Sequence, residues 1–419
     1  MPLVPSAMLP APSEFARHWA IDPGICFLNH GSFGGTPRVV MAAQDALRAR
    51  MEAETIRFFV QDFAGLVDRA RRSLAAFLRC DWDDLAPVPN ATVAVATVLD
   101  SLVDEGLIAP GDELLTNDHE YPACQNNLRR AARRSGAKVV TAELPFPCPS
   151  PEAMIDGLLA KVTSRTRLAL LSHVTSPTGL VMPVERIVPE LERRGVMTLV
   201  DGAHAPGMVA GLDLGALGAS FYTANCHKWI CSPKGSAFLH VRKDLQPRIR
   251  PLALSNNAEK PKPGRSQFLT EFEYVGTSDY TAFMCIPEAI DFMSGLLPGG
   301  FAEVMERNRR LCLAGRDIVC RELGITPPAP DSMIGAICTM ILPPHDEARR
   351  LQLAQRTSVY HDAIQDEMLR RFSIQVPFWG LPSRPDRFVR ISAQLHNSEA
   401  QYRRLAEAIK VLLEEERRA

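Results

Sequence analysis

The sequence predicts an α/β fold: a large unit with a mainly parallel sheet between helices, followed by a smaller C-terminal α+β unit. Three observations carry that expectation. The chain has 419 residues, more than one hydrophobic core usually organises. From about residue 85, short apolar runs alternate with helical segments, the pattern of successive βαβ units. Three of these runs, RLALLSHV (167–174), VMTLVDGAH (196–204) and ASFYTANCHK (219–228), pass from apolar to polar residues at their C-terminal ends, the side where open α/β sheets bind ligands.

Taken in order, the first thirty residues are punctuated by proline and end in FLNHGSFGGTP, where Gly31, Gly34 and Gly35 mark a loop. Residues 37–79 are rich in Ala, Arg, Leu and Glu and read as helical. The βαβ succession then runs to a composition shift at Leu296, Pro298, Gly299 and Gly300. Beyond it, a long helix, the strand GAICTMILP (335–343), another helix and FVRIS (388–392) suggest the smaller unit. The division falls near residue 295, giving a large unit over 31–295 and a small one over 296–419. The sequence contains no internal repeat, heptad pattern or low-complexity tract.

Composition narrows the function. Hydrophobic residues make up 46% and charged residues 23%, and the 33 prolines are scattered, which excludes a disordered or collagen-like chain. Lys and Arg number 47 against 48 Asp and Glu, for a net charge of -1, so no broad field exists for nucleic acid. The ten cysteines form no C-x-x-C pair and no Cys/His ligand spacing, and they read as buried reduced thiols with no metal site. No run of about 18 apolar residues occurs, and the start MPLVPSAMLPAPSEF lacks a basic segment followed by an apolar one. The expectation is a soluble, unexported, cytoplasmic protein that does not engage a membrane.

The candidate chemistry lies at the strand ends. Asp201 directly follows VMTLV, so its carboxylate ends a buried strand and needs a cationic partner, or burial costs several kcal/mol. Lys228 stands 27 residues later, at the end of the next apolar strand. A lysine and an aspartate at neighbouring strand ends suit pyridoxal phosphate: the amine forms the imine, and the carboxylate keeps the pyridine nitrogen protonated. Lys234 is a rival, placed in a probable turn between Pro233 and Gly235. A phosphate needs backbone N–H groups at a helix start, and Pro89-Asn90-Ala91-Thr92 opens the helical TVAVATVLDSLV with Asn90 as N-cap. His227 could add a phosphate contact. His204 could reach the ring oxygen, and His119 or Tyr121 in NDHEYPA could stack on the ring. Arg390 would take a substrate carboxylate through its planar fork.

These residues lie in a recognisable frame. VDGAHAPG followed by CHKW-x-x-x-PKG-x-AFL, preceded by LNHGSFGGTP, NDHEYPA and SHVTSPTGLVMP, resembles the class V aminotransferase group of fold-type I pyridoxal phosphate enzymes, in its isopenicillin N epimerase-like branch. That branch also contains C–S lyases of ergothioneine synthesis. The resemblance runs from about Phe27 to His396. It implies a seven-stranded sheet in the large domain and an N-terminal segment, 1–30, lying with the small domain at the active-site entrance. It further implies Lys228 as the imine lysine, Asp201 on the pyridine nitrogen and His204 near the ring hydroxyl. Ala91, Thr92 and His227 fall at phosphate positions, and Ser176 falls beside the cofactor oxygen. Arg390 matches the arginine for the substrate α-carboxylate, with Asn29 in the loop expected to close on it. EYVGTSDYTA (273–282) matches a segment that reaches the neighbouring subunit's phosphate, so Gly276 and Thr277 are implied contacts in trans within a homodimer.

The chain departs from the branch at Ser255-Asn256-Asn257, where members often have Ser-His-Gly. Cysteine desulfurases of the same superfamily need a mobile cysteine just before the last arginine strand. Residues 373–387 contain none, and Cys338 lies inside a predicted strand. The implied chemistry proceeds from a Lys228 aldimine through a quinonoid, with the released amine as general base. An amino-acid epimerase is the first expectation, with His119 and Tyr121 as candidates for the second acid. A C–S β-lyase comes second, an aminotransferase third, and a non-catalytic binding protein last.

Overall fold

A computed structural model describes residues 9–260, 262–381 and 385–418. Its strands are β1 (Cys26–Phe27), β2 (Leu85–Val88), β3 (Glu113–Asn117), β4 (Lys138–Ala142), β5 (Thr166–Ser172), β6 (Met197–Asp201), β7 (Phe221–Asn225), β8 (Ala237–Val241), β9 (Ile337–Ile341), β10 (Ile374–Gln375), β11 (Phe378–Trp379) and β12 (Phe388–Ser392). Seven form one sheet in the order β2-β8-β7-β6-β5-β3-β4. β8 alone runs against its neighbours β2 and β7, and the remaining pairings are parallel.

Both faces of this sheet are covered, which explains why its strands read as unbroken apolar runs rather than alternating ones. Alternate residues feed separate cores. Leu168, Leu170 and Leu199 pack with Val95, Leu99 and Leu128 of the helices Ala91–Asp104 and Pro122–Ser135 on one side. Ala169, Leu171 and Val200 face the opposite core with Ile187, Val188 and Leu191 of the helix Val184–Arg193. The register sets Ser172 beside Asp201, and Asp201 beside Thr223, so Ser172 and Asp201 end their strands side by side.

The smaller C-terminal domain carries an antiparallel sheet in the order β11-β12-β9, packed against the helix Gly300–Leu323, which in turn packs on the helix Glu399–Arg418. The N-terminal segment lies on this domain. β1 pairs in parallel with β10, Ser13 N–H donates to the His396 carbonyl at 3.1 Å, and Ser398 Oγ donates to the Ala11 carbonyl at 2.7 Å. Residues 1–8 and 382–384, which belong to two of the sequence expectations, lie outside the described residues.

Two expectations change in detail. The helical stretch 37–79 breaks at Glu54, where φ reaches -154°. The chain then resumes through Thr55–Arg57 and a wide turn, Phe58–Asp62, before the helix Phe63–Leu78. This break buries Phe58 and Phe63 and leaves Val60 outside. The run ASFYTANCHK stops being a strand at Asn225, because the chain must turn back into the antiparallel β8. Lys228 therefore sits in the turn beyond β7 rather than at its last position.

Candidate active site

Asp201 closes β6 with its side chain almost completely enclosed. One carboxylate oxygen accepts the Ala203 N–H at 2.9 Å, and the other accepts the Cys124 thiol at 3.1 Å. Burial and the adjacent Asp201 charge raise the Cys124 thiol pKa well above its usual value, so it remains a donor. Among the described residues this carboxylate has two donors and no ion pair within 4 Å, so it retains a demand for positive charge.

Lys228 is half-buried, with Nζ 3.0 Å from Nε2 of the buried His204. Burial pulls the lysine pKa from 10.5 down to about 8 against the opposing attraction of Asp201. His204, next to Lys228 and fully buried, is held well below its ordinary value and is neutral. Its other nitrogen, Nδ1, accepts the indole N–H of Trp229 at 3.3 Å.

The turn that presents Lys228 is fixed from the N-terminal side. His30 Nε2 lies 3.0 Å from the Lys228 carbonyl, where it can donate a hydrogen bond. Gly34 has φ +69°. A Cβ there would stand 2.1 Å from the His227 carbonyl oxygen and 2.9 Å from Lys228 Cα, so the loop can approach only as glycine. Trp19 ties the next residue down by donating its indole N–H to the Gly35 carbonyl at 3.0 Å.

At the helix start beyond β2, Asn90 Oδ1 caps the Val93 N–H at 2.9 Å. Asn225, at the end of β7, caps the Ala91 N–H at 3.0 Å. The Thr92 N–H between them is taken by neither cap, and it points from the positive end of the Ala91–Asp104 helix. His227 adjoins Lys228 with Nδ1 3.2 Å from the Ser236 carbonyl. Burial and the Lys228 charge lower its pKa to about 4. Gly276 and Thr277 lie in an exposed loop, where Tyr280 donates its hydroxyl to the Gly276 carbonyl and the Tyr274 hydroxyl meets Thr277 Oγ1, both at 2.8 Å.

Arg390 projects from the middle of β12. Nη1 donates to the Ser176 carbonyl at 2.6 Å and to its hydroxyl at 3.0 Å, and Nη2 donates to Ser32 Oγ at 3.2 Å. Ser32 in turn donates to Asn29 Oδ1 at 2.6 Å. The guanidinium lies over Trp379, 4.9 Å from the ring centroid. Its Nε is buried without a partner among the described residues, and burial lowers its pKa to about 10, with Tyr121 opposing. Ser176, expected beside the cofactor oxygen, accepts from Arg390 through both its carbonyl and its hydroxyl oxygen.

Tyr121 is 43% exposed; burial of the rest of the ring and the neighbouring Cys124 and Asp201 raise its pKa. His119, expected as a ring-stacking group and possible acid, has no exposed surface. Its Nε2 lies 3.2 Å from the Leu144 carbonyl and its Nδ1 lies 3.1 Å from Thr178 Oγ1. Its ring also stands edge-on to Phe146. Both nitrogens are thus engaged by the protein wall.

Sequence reasoning missed Glu120, the residue between those two. It is fully buried, accepting from Ser172 Oγ at 2.5 Å and from the Tyr121 N–H at 2.8 Å, while Oε2 has no partner among the described residues. Burial and the neighbouring Asp201 carboxylate push its pKa up. The available signal was a third ionisable group in NDHEYPA, directly after a strand. Trp229 was also missed as a polar participant, because its indole reads as core.

The donor set matches one cofactor from end to end. An amine of lowered pKa suits an aldehyde, the enclosed Asp201 suits a pyridinium, and the uncapped Thr92 N–H suits a phosphate. The unpaired Arg390 Nε–H suits the carboxylate of an amino acid. Fold and site together define a pyridoxal 5'-phosphate-dependent enzyme.

The chain belongs to the aminotransferase class-V family, whose model matches residues 28–317. It is 36% identical to isopenicillin N epimerase of Amycolatopsis lactamdurans over 405 residues, covering 94% of this chain and 96% of that one. It is 29% identical to a probable chloroplastic L-cysteine desulfhydrase of Arabidopsis thaliana, covering 96% and 85%. Among solved structures, a cystine C–S lyase in complex with its product cysteine persulfide superposes with TM-score 0.73 at 21% identity, covering 91% of this chain and 96% of that one.

Proposed function

We propose that the protein is an amino-acid epimerase of the isopenicillin N epimerase kind, inverting the α-carbon of an amino acid or amino-acid-bearing substrate. The observation that carries this reading is Lys228, a half-buried amine whose Nζ stands 3.0 Å from His204 Nε2 and whose pKa burial lowers to about 8, a value suited to proton exchange. When bound, pyridoxal phosphate supplies the electron sink that makes a Cα proton acidic.

The remaining steps belong to the chain's own residues. Arg390, fixed by Ser176, Ser32 and Trp379, orients the substrate through its carboxylate. Lys228 removes the Cα proton, and Tyr121, with its hydroxyl raised in pKa and no competing fixed role, carries the second proton. Asn29 and Ser32 link that carboxylate site to the loop that also presses Gly34 against Lys228. The choice of epimerisation is supported by likeness along almost the whole chain to two isopenicillin N epimerases, at 36% and 33% identity.

A C–S lyase is the second reading, favoured by the desulfhydrases at 27–29% identity. Cys338 lies fully buried in β9, which gives no support to persulfide transfer from that thiol. Incubation with a panel of amino acids in heavy water, following Cα exchange, chirality, pyruvate and ammonia, decides between the two. Exchange with inversion supports the epimerase, whereas pyruvate without a D-product rejects it.

We also propose a homodimer with shared sites, in which Gly276 and Thr277 reach the partner's phosphate end. Exposed apolar side chains such as Phe33, Ile56 and Val60 are available for such a contact. A cytoplasmic setting is supported by ten cysteines, all free. No helix among the described residues is long and apolar enough to cross a membrane.

A further inference from the structure

We infer that Trp229 is a positioning residue that, acting through His204, favours the neutral-amine form of Lys228 before the cofactor arrives. The argument is one of donor and acceptor parity. An indole N–H can only donate. Its partner, His204 Nδ1 at 3.3 Å, must therefore be the bare nitrogen of the ring. Burial, and the charge of Arg390, oppose protonation of His204, so the ring is neutral and carries its single proton on Nε2. That N–H points at Lys228 Nζ, 3.0 Å away. The lysine must then present a lone pair, which an ammonium does not have.

The alternative tautomer would let His204 Nε2 accept from a lysine ammonium. It would also place two N–H groups against each other at Nδ1 and leave the indole, 1% exposed, without an acceptor. The groups facing Lys228 pull in both directions. Asp201 and Cys124 favour the cation, whereas desolvation and Arg390 favour the free base. The tautomer set by Trp229 adds to the second side. A free base is the form that attacks an aldehyde, so the indole prepares the amine for loading.

The inference rests on Lys228 being the amine that takes the cofactor, and the test separates the two ideas. Nitrogen NMR of the full chain, stripped of cofactor and labelled in histidine, reads the His204 ring, with assignment from a His204→Gln sample. The expected result is a proton on Nε2 and a bare Nδ1 at pH 9, where Lys228 is mostly the free base; a proton on Nδ1 there overturns the inference. In Trp229→Phe, which keeps an aromatic ring but removes the donor, the pH midpoint for uptake of pyridoxal phosphate should rise by about one unit, a tenfold slowing at pH 7 that vanishes at high pH. An unchanged midpoint overturns it. Should that variant fail to fold, the wild-type spectrum alone decides. Failure of the wild-type chain to load pyridoxal phosphate on Lys228 would defeat the cofactor assignment while leaving the tautomer result readable.

Discussion

Desolvating the Lys228 amine costs the fold stability, and the sign of that cost follows from its pKa. The folded-state value is depressed from 10.5 to about 8, so the unfolded chain binds the proton more tightly. The penalty is full below pH 8, shrinks as pH rises from 8 to 10.5, and is gone above that. A shift of this size corresponds to a cost on the order of 3 kcal/mol. Lys228→Met should therefore raise the thermal midpoint of the cofactor-free protein at pH 7, with the gap closing toward pH 10.5; calorimetry across that range checks it. Arg390 gives a complementary expectation. Lysine cannot reproduce a planar fork held by Ser176 and Ser32 over Trp379, so Arg390→Lys should raise the KM for an amino-acid substrate about tenfold or more, equivalent to losing one charge-assisted hydrogen bond, while pyridoxal phosphate still loads.

Elements place these residues, and the tightest placement is the loop after β1. Gly34→Ala would put a Cβ 2.1 Å from the His227 carbonyl at φ +69°, combining left-handed strain with a backbone clash. The expected outcome is a loss of about 2 kcal/mol or more in urea unfolding together with weakened cofactor retention, read by absorbance. The apolar runs before Ser172, Asp201 and Asn225 were legible as strands because covered parallel sheets demand unbroken hydrophobic sequences. The break at Glu54 was not legible, since no proline or glycine marks it and it arises from packing Phe58 and Phe63 inward. Glu120 escaped notice because its carboxyl acquires meaning only when β5 and β6 bring Ser172 and Asp201 alongside. Ser176 was visible as a polar loop residue, but its attachment to Arg390 spans 214 positions and had no local signature. We propose that the two units divide near residue 295, where the helix Ile286–Ser294 ends before Gly300–Leu323 begins.

At the scale of the molecule, the site draws on both domains. Asp201, Lys228 and the start of the Ala91–Asp104 helix come from the large sheet, and Arg390 comes from the small one. The N-terminal segment bridges them through the His30 and Ser32 contacts. The proposed dimer predicts that Val60→Asp, at a side chain 74% exposed, leaves the monomer folded but shifts sedimentation toward the single-chain mass and weakens cofactor retention. Sedimentation of the variant as an unchanged dimer would remove this face from the interface. Above all, the account depends on which amine carries the cofactor. Borohydride reduction of the loaded protein followed by peptide mapping tests this directly: the account predicts a pyridoxyl group on Lys228, and a pyridoxyl group on Lys234 or any other lysine would contradict it.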